Sequence, residues 1–137
     1  MNVRVLLLVL SCTLLWACSS TPPLQRMEAR LAEIESVAGE PVESFHFWRL
    51  DRWEPLGRKH VAVWTQIDKA WLIEVREPCF GLDYATSIGL SSTGQRVFQN
   101  FDVVHVDTQR CRIAEIRPVD VRALRALRKE PDASPAA

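Results

Sequence analysis

Neither sign of charge predominates: 17 Lys and Arg stand against 17 Asp and Glu, with three His. A general nucleic-acid binder needs a basic excess to displace counterions from phosphates, so no nucleic-acid partner is expected. No apolar stretch reaches the roughly 20 residues of a membrane-crossing helix; Val5 to Leu15 falls well short. There is no phosphate-cradling loop, no H-E-x-x-H and no C-x-x-C. Ser91-Ser92-Thr93-Gly94 lacks the G-x-S-x-G turn of a hydrolase nucleophile. Cysteine is scarce, four in all. Cys79 and Cys111 lie too far apart, with no His pair nearby, for a structural zinc, so neither metal nor cofactor is expected. No internal repeat occurs, and 137 residues hold one domain with tails rather than a multidomain enzyme. The remaining composition, 47% apolar and 25% charged, belongs to an ordinary globular domain.

The first residues, MNVRVLLLVLSCTLLWAC, pair a positive start at Arg4 with a short apolar core. That arrangement reads as an export leader, since no polar face exists to make it an amphipathic helix. Its end, Leu15-Trp16-Ala17-Cys18, resembles the lipobox of bacterial lipoproteins, with Trp16 where a smaller residue is usual. The resemblance implies removal of residues 1–17 and diacylglycerol on the Cys18 sulfur. Each buried methylene adds about 0.8 kcal/mol, so two or three acyl chains anchor firmly where one is marginal. The lipid bilayer is thus the first expected partner. A rival site at Cys12 would strand Leu14, Leu15 and Trp16 in water. Ser19, in place of Asp, matches the sorting pattern of outer-membrane lipoproteins facing the periplasm.

Cysteine arithmetic fits an oxidising compartment. Cleavage discards Cys12 and lipidation uses Cys18, which leaves Cys79 and Cys111 as an even pair. Closing a loop of about thirty residues is worth about 3 to 4 kcal/mol. Two free buried thiols are the other reading of the pair.

Along the chain, residues 18–23 form a lipidated tether. Thr21 is placed to cap a helix with Pro22 at its first position. Leu24, Met27, Leu31, Ile34 and Ala38 then recur at helical spacing, predicting an amphipathic helix over 24–39 that Gly39 stops. Residues 40–129 carry strand patterns. Ser44 to Leu50 alternates, with Phe45 and Phe47 on one face. Trp53-Glu54-Pro55-Leu56-Gly57 reads as a turn-bearing connection. His60–Thr65 and Ala70–Arg76 flank a four-residue loop as a β-hairpin, with Val61, Val63, Trp71, Ile73 and Val75 at alternate positions. Tyr84–Leu90 reads as a short strand, Arg96–Asp107 as a longer one bent near 100–102, and Cys111–Arg117 as the last. Asp120 is placed to cap a final helix, Val121–Lys129, with Val121, Leu124 and Leu127 inward and Arg122, Arg125 and Arg128 in water. Residues 130–137 form a Pro/Ala tail expected to be disordered. The fold class is α+β: about six strands in a small antiparallel sheet or half-open barrel, with an N-terminal and a short C-terminal helix.

From Val42 to Asp120 the chain resembles a family of uncharacterised proteobacterial envelope lipoproteins, a domain of unknown function (6491). The resemblance is carried by Ser44-Phe45, Trp53-Glu54-Pro55-Leu56, Val63-Trp64-Thr65, Ala70-Trp71-Leu72-Ile73 and Ile88-Gly89-Leu90. Further pieces are Cys79 with Leu82 and Ala85, Phe101-Asp102 with Val104, Cys111-Arg112-Ile113, and Ile116-Arg117-Pro118-Val119-Asp120. It implies an envelope location and the disulfide, and carries no activity.

Chemistry-bearing residues are few. His105 lies between Asp102 and Asp107, so a small enzyme with a His/Asp site is the alternative reading. A strand whose polar residues face water explains the same residues. Trp48, Trp53, Trp64 and Trp71 suit either a core or a groove that stacks on sugar rings or grips a peptide. Trp53, read in a turn, is the candidate for exposure. Arg112, Arg117 and the helix arginines are candidates to meet lipid phosphates or a partner carboxylate. The expected function is a non-catalytic binding or structural module of the bacterial envelope, with an envelope protein or glycan as partner.

Overall fold

The structure, a computed structural model, describes Val3 and residues 20–129. Cys18, the leader (apart from Val3) and the tail 130–137 lie outside the described residues. Helix α1 spans Pro23–Ser36. Strands β1 to β8 are Ser44–His46, Arg52–Pro55, His60–Gln66, Lys69–Val75, Ile88–Leu90, Arg96–Phe98, Val103–Val106 and Gln109–Val119. A single 3-10 turn, Leu82–Tyr84, precedes β5, and helix α2, Val121–Lys129, closes the described chain. No described helix is long and apolar enough to cross a membrane.

Six strands form one antiparallel sheet in the order β2-β3-β4-β8-β7-β5, curled into a half-barrel. β1 and β6 make a separate two-stranded ribbon. The long strand β8 organises the rest. Its first part, Gln109–Arg112, pairs with β7, and its second, Ile113–Val119, with β4. Opposite β4, the chain leaving α1 runs beside β8: the Gly39 N–H donates to the Pro118 carbonyl and the Val42 N–H to that of Ile116, each at 2.8 Å. Gly39 belongs there because a Cβ would sit 3.2 Å from the Pro118 ring.

Strand alternation sorts side chains to two faces. Val61, Val63, Ile73 and Val75 point into the concave side and meet Phe45, Leu82, Val97, Val104, Val106, Cys111, Ile113 and Ile116. Ala62, Trp64, Ala70 and Leu72 point the other way, where Ile34 of α1 and Val121 and Leu124 of α2 cover them. One irregularity serves the first core. β4 and β8 pair Glu74 with Glu115 but Val75 with Ile113, so Ala114 is an extra residue on β8. This bulge reverses the parity of β8, and Ile113 and Ile116 both reach the concave face.

Several element bounds differ from the sequence reading. Pro22 is the residue before α1 and not its first position, Pro23 opens the helix, and no side chain caps it. Its last turn ends at Ser36, whose hydroxyl donates to the Glu33 carbonyl. Trp53 lies in a strand, not a turn. β2 is an edge strand, and Pro55 at its end, facing Val61, needs no ladder N–H there. The turn itself falls at Gly57, where φ is +119°, a region open to glycine. β1 ends at His46, and the Phe47 N–H makes one more bond along the ribbon, to the Gln95 carbonyl at 2.8 Å. The bend expected at 100–102 is a full break between β6 and β7, with Asn100 at φ +61°. Tyr84 belongs to the 3-10 turn, and only Ile88–Leu90 is strand. Asp120 caps α2 as expected, accepting the Ala123 N–H at 3.0 Å.

The pairing of Cys79 with Cys111 is present, with Cα atoms 5.6 Å apart and a sequence separation of 32. It joins the loop after β4 to the start of β8. Reduction, or replacement of both cysteines by alanine, is expected to cost about 3 to 4 kcal/mol through regained freedom of the unfolded loop. Chemical denaturation with and without reductant checks this; an unchanged midpoint counts against it.

Candidate functional site

The residues singled out from sequence do not form one site. His105 is exposed on the outer side of β7, opposite Arg110 in the ladder. Asp102 has opposite parity and is only 3% exposed. Both its carboxylate oxygens are used: Oδ1 accepts from the Ser91 hydroxyl at 2.6 Å and Oδ2 from the Phe98 N–H at 2.7 Å. The Ser91 hydroxyl oxygen accepts the Val103 N–H in turn. Asp102 therefore clamps the break between β6 and β7. Asp107 sits in the β7–β8 turn at φ +52°. Among the described residues no hydrogen bond or ion pair joins His105 to either aspartate, and no cluster of His, Cys, Asp and Glu is placed to hold a metal.

Trp53, Arg112 and Arg117 are also separate. Trp53 is half-buried, turned inward against the concave core, which corrects its expected exposure. The exposed tryptophan is Trp48. Trp71 stacks on Phe45 with ring centres 4.8 Å apart, and its indole N–H reaches the Thr65 hydroxyl. Arg117 is engaged inside the fold: it donates to the carbonyls of Gly39 and Ala38, fastening the segment after α1 to β8. Arg112 lies exposed and donates to the Asn100 carbonyl at 3.2 Å.

The concave feature with convergent polar groups lies on the helix-covered face, between the β2–β3 edge and α2. It is a notch of about 310 Å³. Its floor is Trp64, 1% exposed. The Arg52 guanidinium lies over the Trp64 ring, 3.9 Å from its centre, because the two residues face each other across the β2–β3 ladder. Arg125 and Arg128, one turn apart on α2, form the opposite wall, and Arg125 donates to the Ile67 carbonyl at 2.7 Å. Arg30 enters from α1, bound to Glu33 at 2.7 Å and Glu54 at 3.0 Å. Burial is the largest single effect and lowers its pKa, but the hydrogen bonds and charges of these two carboxylates together outweigh it, and the pKa is raised. Asp51 supplies the acidic member of the lining. The Trp64 indole N–H is buried without a partner, the only such side-chain polar atom among the described residues.

Arg122, Arg125 and Arg128 are exposed, as expected; what sequence reasoning missed is the notch that Arg125 and Arg128 line. The available signal was the Arg52-Trp53 pair: had 52–55 been read as a strand paired with β3, Arg52 would have fallen opposite Trp64. A second depression of about 580 Å³ lies beside the disulfide, edged by the exposed rings of Phe80 and Tyr84 and by Arg58. The Gln109 side chain holds both backbone groups of Phe80 there, accepting its N–H and donating to its carbonyl.

The model described as "Family of unknown function (DUF6491)" matches residues 1–134, so the chain belongs to that family. No curated protein and no solved structure matches it.

Two outcomes follow from the clamp and from His60. Asp102→Ala strips partners from the Phe98 N–H and the Ser91 hydroxyl, and is expected to destabilise the fold by about 2 to 3 kcal/mol. Denaturant unfolding measures it; a loss no larger than that of an exposed Asp107→Ala variant would contradict the clamp. Burial lowers the pKa of His60, opposed by Glu74 across the ladder, with Lys59 adding to the lowering. The unfolded chain therefore binds the proton more readily, so stability is full above the usual histidine value and declines as pH falls through it. Melting temperatures taken from about pH 7 to pH 5 should drop in the parent and drop less in His60→Gln.

Proposed function

We propose that this member of the family of unknown function is a lipid-anchored envelope protein whose domain works by binding an envelope component, not by catalysis. Cys18 carries the acyl chains, and the folded part faces the periplasm from the outer membrane. The carrying observation is the placement of the notch. α1 begins at Pro23, a few residues after Cys18, and lies with α2 on the same side of the sheet. The arginine-lined notch opens on that side. An anchor at Cys18 keeps this face within a short tether's reach of the bilayer. The fold suits a rigid binding module: two sealed cores, one disulfide, and loops tied to the sheet by side chains such as Asp102, Gln109 and Arg117.

Membrane fractionation and intact mass test the anchor. Native material extracted from membranes is expected to lack residues 1–17 and to carry added acyl mass at Cys18. Cys18→Ser should be released or mislocalised, since it loses the acyl chains. Full-length, unacylated protein, or unaltered fractionation of the variant, would overturn the reading.

A further inference from the structure

The notch at Trp64 has the character of a ligand site rather than a gap between elements. Its donors converge from two independent elements. Arg52 comes from the β2–β3 pair, and Arg125 and Arg128 come from α2. Arg30 is neutralised by its two glutamates, but Arg52, Arg125 and Arg128 form no ion pair among the described residues. With Arg30 and its two glutamates counted, four arginines stand against three carboxylates, Asp51, Glu33 and Glu54, which leaves one positive charge in excess. Like charges gathered around a low-dielectric floor repel one another unless an anion joins them. The Trp64 N–H is a second and separate signal. A buried donor without an acceptor is rare and costly, and here the residue that carries it lines the same notch.

We propose that the notch binds a phosphate ester, a deepening of the binding role inferred above. A carboxylate presents its lone pairs in one plane, whereas phosphate oxygens spread tetrahedrally and can meet donors from both walls and the floor. The volume, about 310 Å³, lies at the lower end of small-ligand cavities and leaves room for the alcohol part of an ester. Asp51 is then an acceptor for a hydroxyl of that alcohol. Arg52 holds two roles, covering the Trp64 ring and turning its N–H groups to the phosphate. The chemistry is shared by a lipid headgroup and by a soluble phosphomonoester.

The test uses the mature protein extracted in non-ionic detergent, with ¹⁵N-labelled tryptophan, following the Trp64 indole N–H; Trp64→Phe assigns the signal. Titration with glycerol phosphate should shift that signal saturably, while acetate at equal ionic strength should not. Arg52→Gln with Arg128→Gln should weaken binding about tenfold or more, the loss of two charge-assisted contacts. Arg122→Gln, on α2 but outside the notch, should leave it unchanged. A short-chain phosphatidylglycerol that shifts the signal at lower concentration than glycerol phosphate identifies the lipid source; the reverse order identifies a soluble ester. An unmoved Trp64 signal, an equal response to acetate, or equal weakening by Arg122→Gln overturns the proposal. Acyl mass at Cys18 is read independently, so loss of the anchor reading and loss of phosphate binding are separate results.

Discussion

One extra residue in β8 decides how this chain is divided between its two cores. A strand places alternate residues on alternate faces, so an unbroken β8 would send Ile113 and Ile116 to opposite sides. Ala114, unpaired against β4, reverses the parity, and both isoleucines are fully buried on the concave side. The same reversal directs Cys111 toward the concave cluster while Val119, farther along, joins the core beneath the helices. Without the bulge one isoleucine would face the helix layer, and the concave core would lose one of its large side chains. The curl of the sheet also depends on it, since a bulge increases local twist and β8 passes there from one partner to the other.

Much of this frame was legible in the residues. The hairpin of β3 and β4 is written in strict alternation, Val61 and Val63 against Ala62 and Trp64, which needs no tertiary information. The final helix announces itself by Asp120 and by the Val121–Leu124 spacing. The disulfide followed from counting cysteines once a leader had been removed. What escaped depends on partners distant in sequence. β2 was hidden because Pro55 and Gly57 look like turn residues, and only an edge position makes that proline harmless. The exposure assigned to Trp53 failed with it. Asp102 looked like a member of a histidine site because it is three positions from His105; in an extended strand, three positions means opposite faces. The notch was illegible for a plainer reason: Arg52 and Arg128 meet only after the sheet and α2 are assembled.

The two faces of the sheet meet opposite electrostatic conditions. On the concave side the buried Asp102 carboxylate has both oxygens bonded, and the Trp71 indole N–H finds the Thr65 hydroxyl. On the helix side Trp64 finds nothing, although it is the largest fully buried side chain. The surrounding residues explain the difference. The charged residues that line the notch with Trp64 are four arginines, donors that cannot accept its proton, and Asp51, which forms no hydrogen bond to it. A buried donor left without an acceptor costs about 1 to 3 kcal/mol. The Arg52 guanidinium over the ring favours tryptophan here but offers no acceptor, so the cost of the unpaired N–H stays in the free protein. A group that supplies acceptors to the indole and counter-charge to Arg52, Arg125 and Arg128 at once removes the cost and the repulsion together, which is the energetic signature of a site built to be filled.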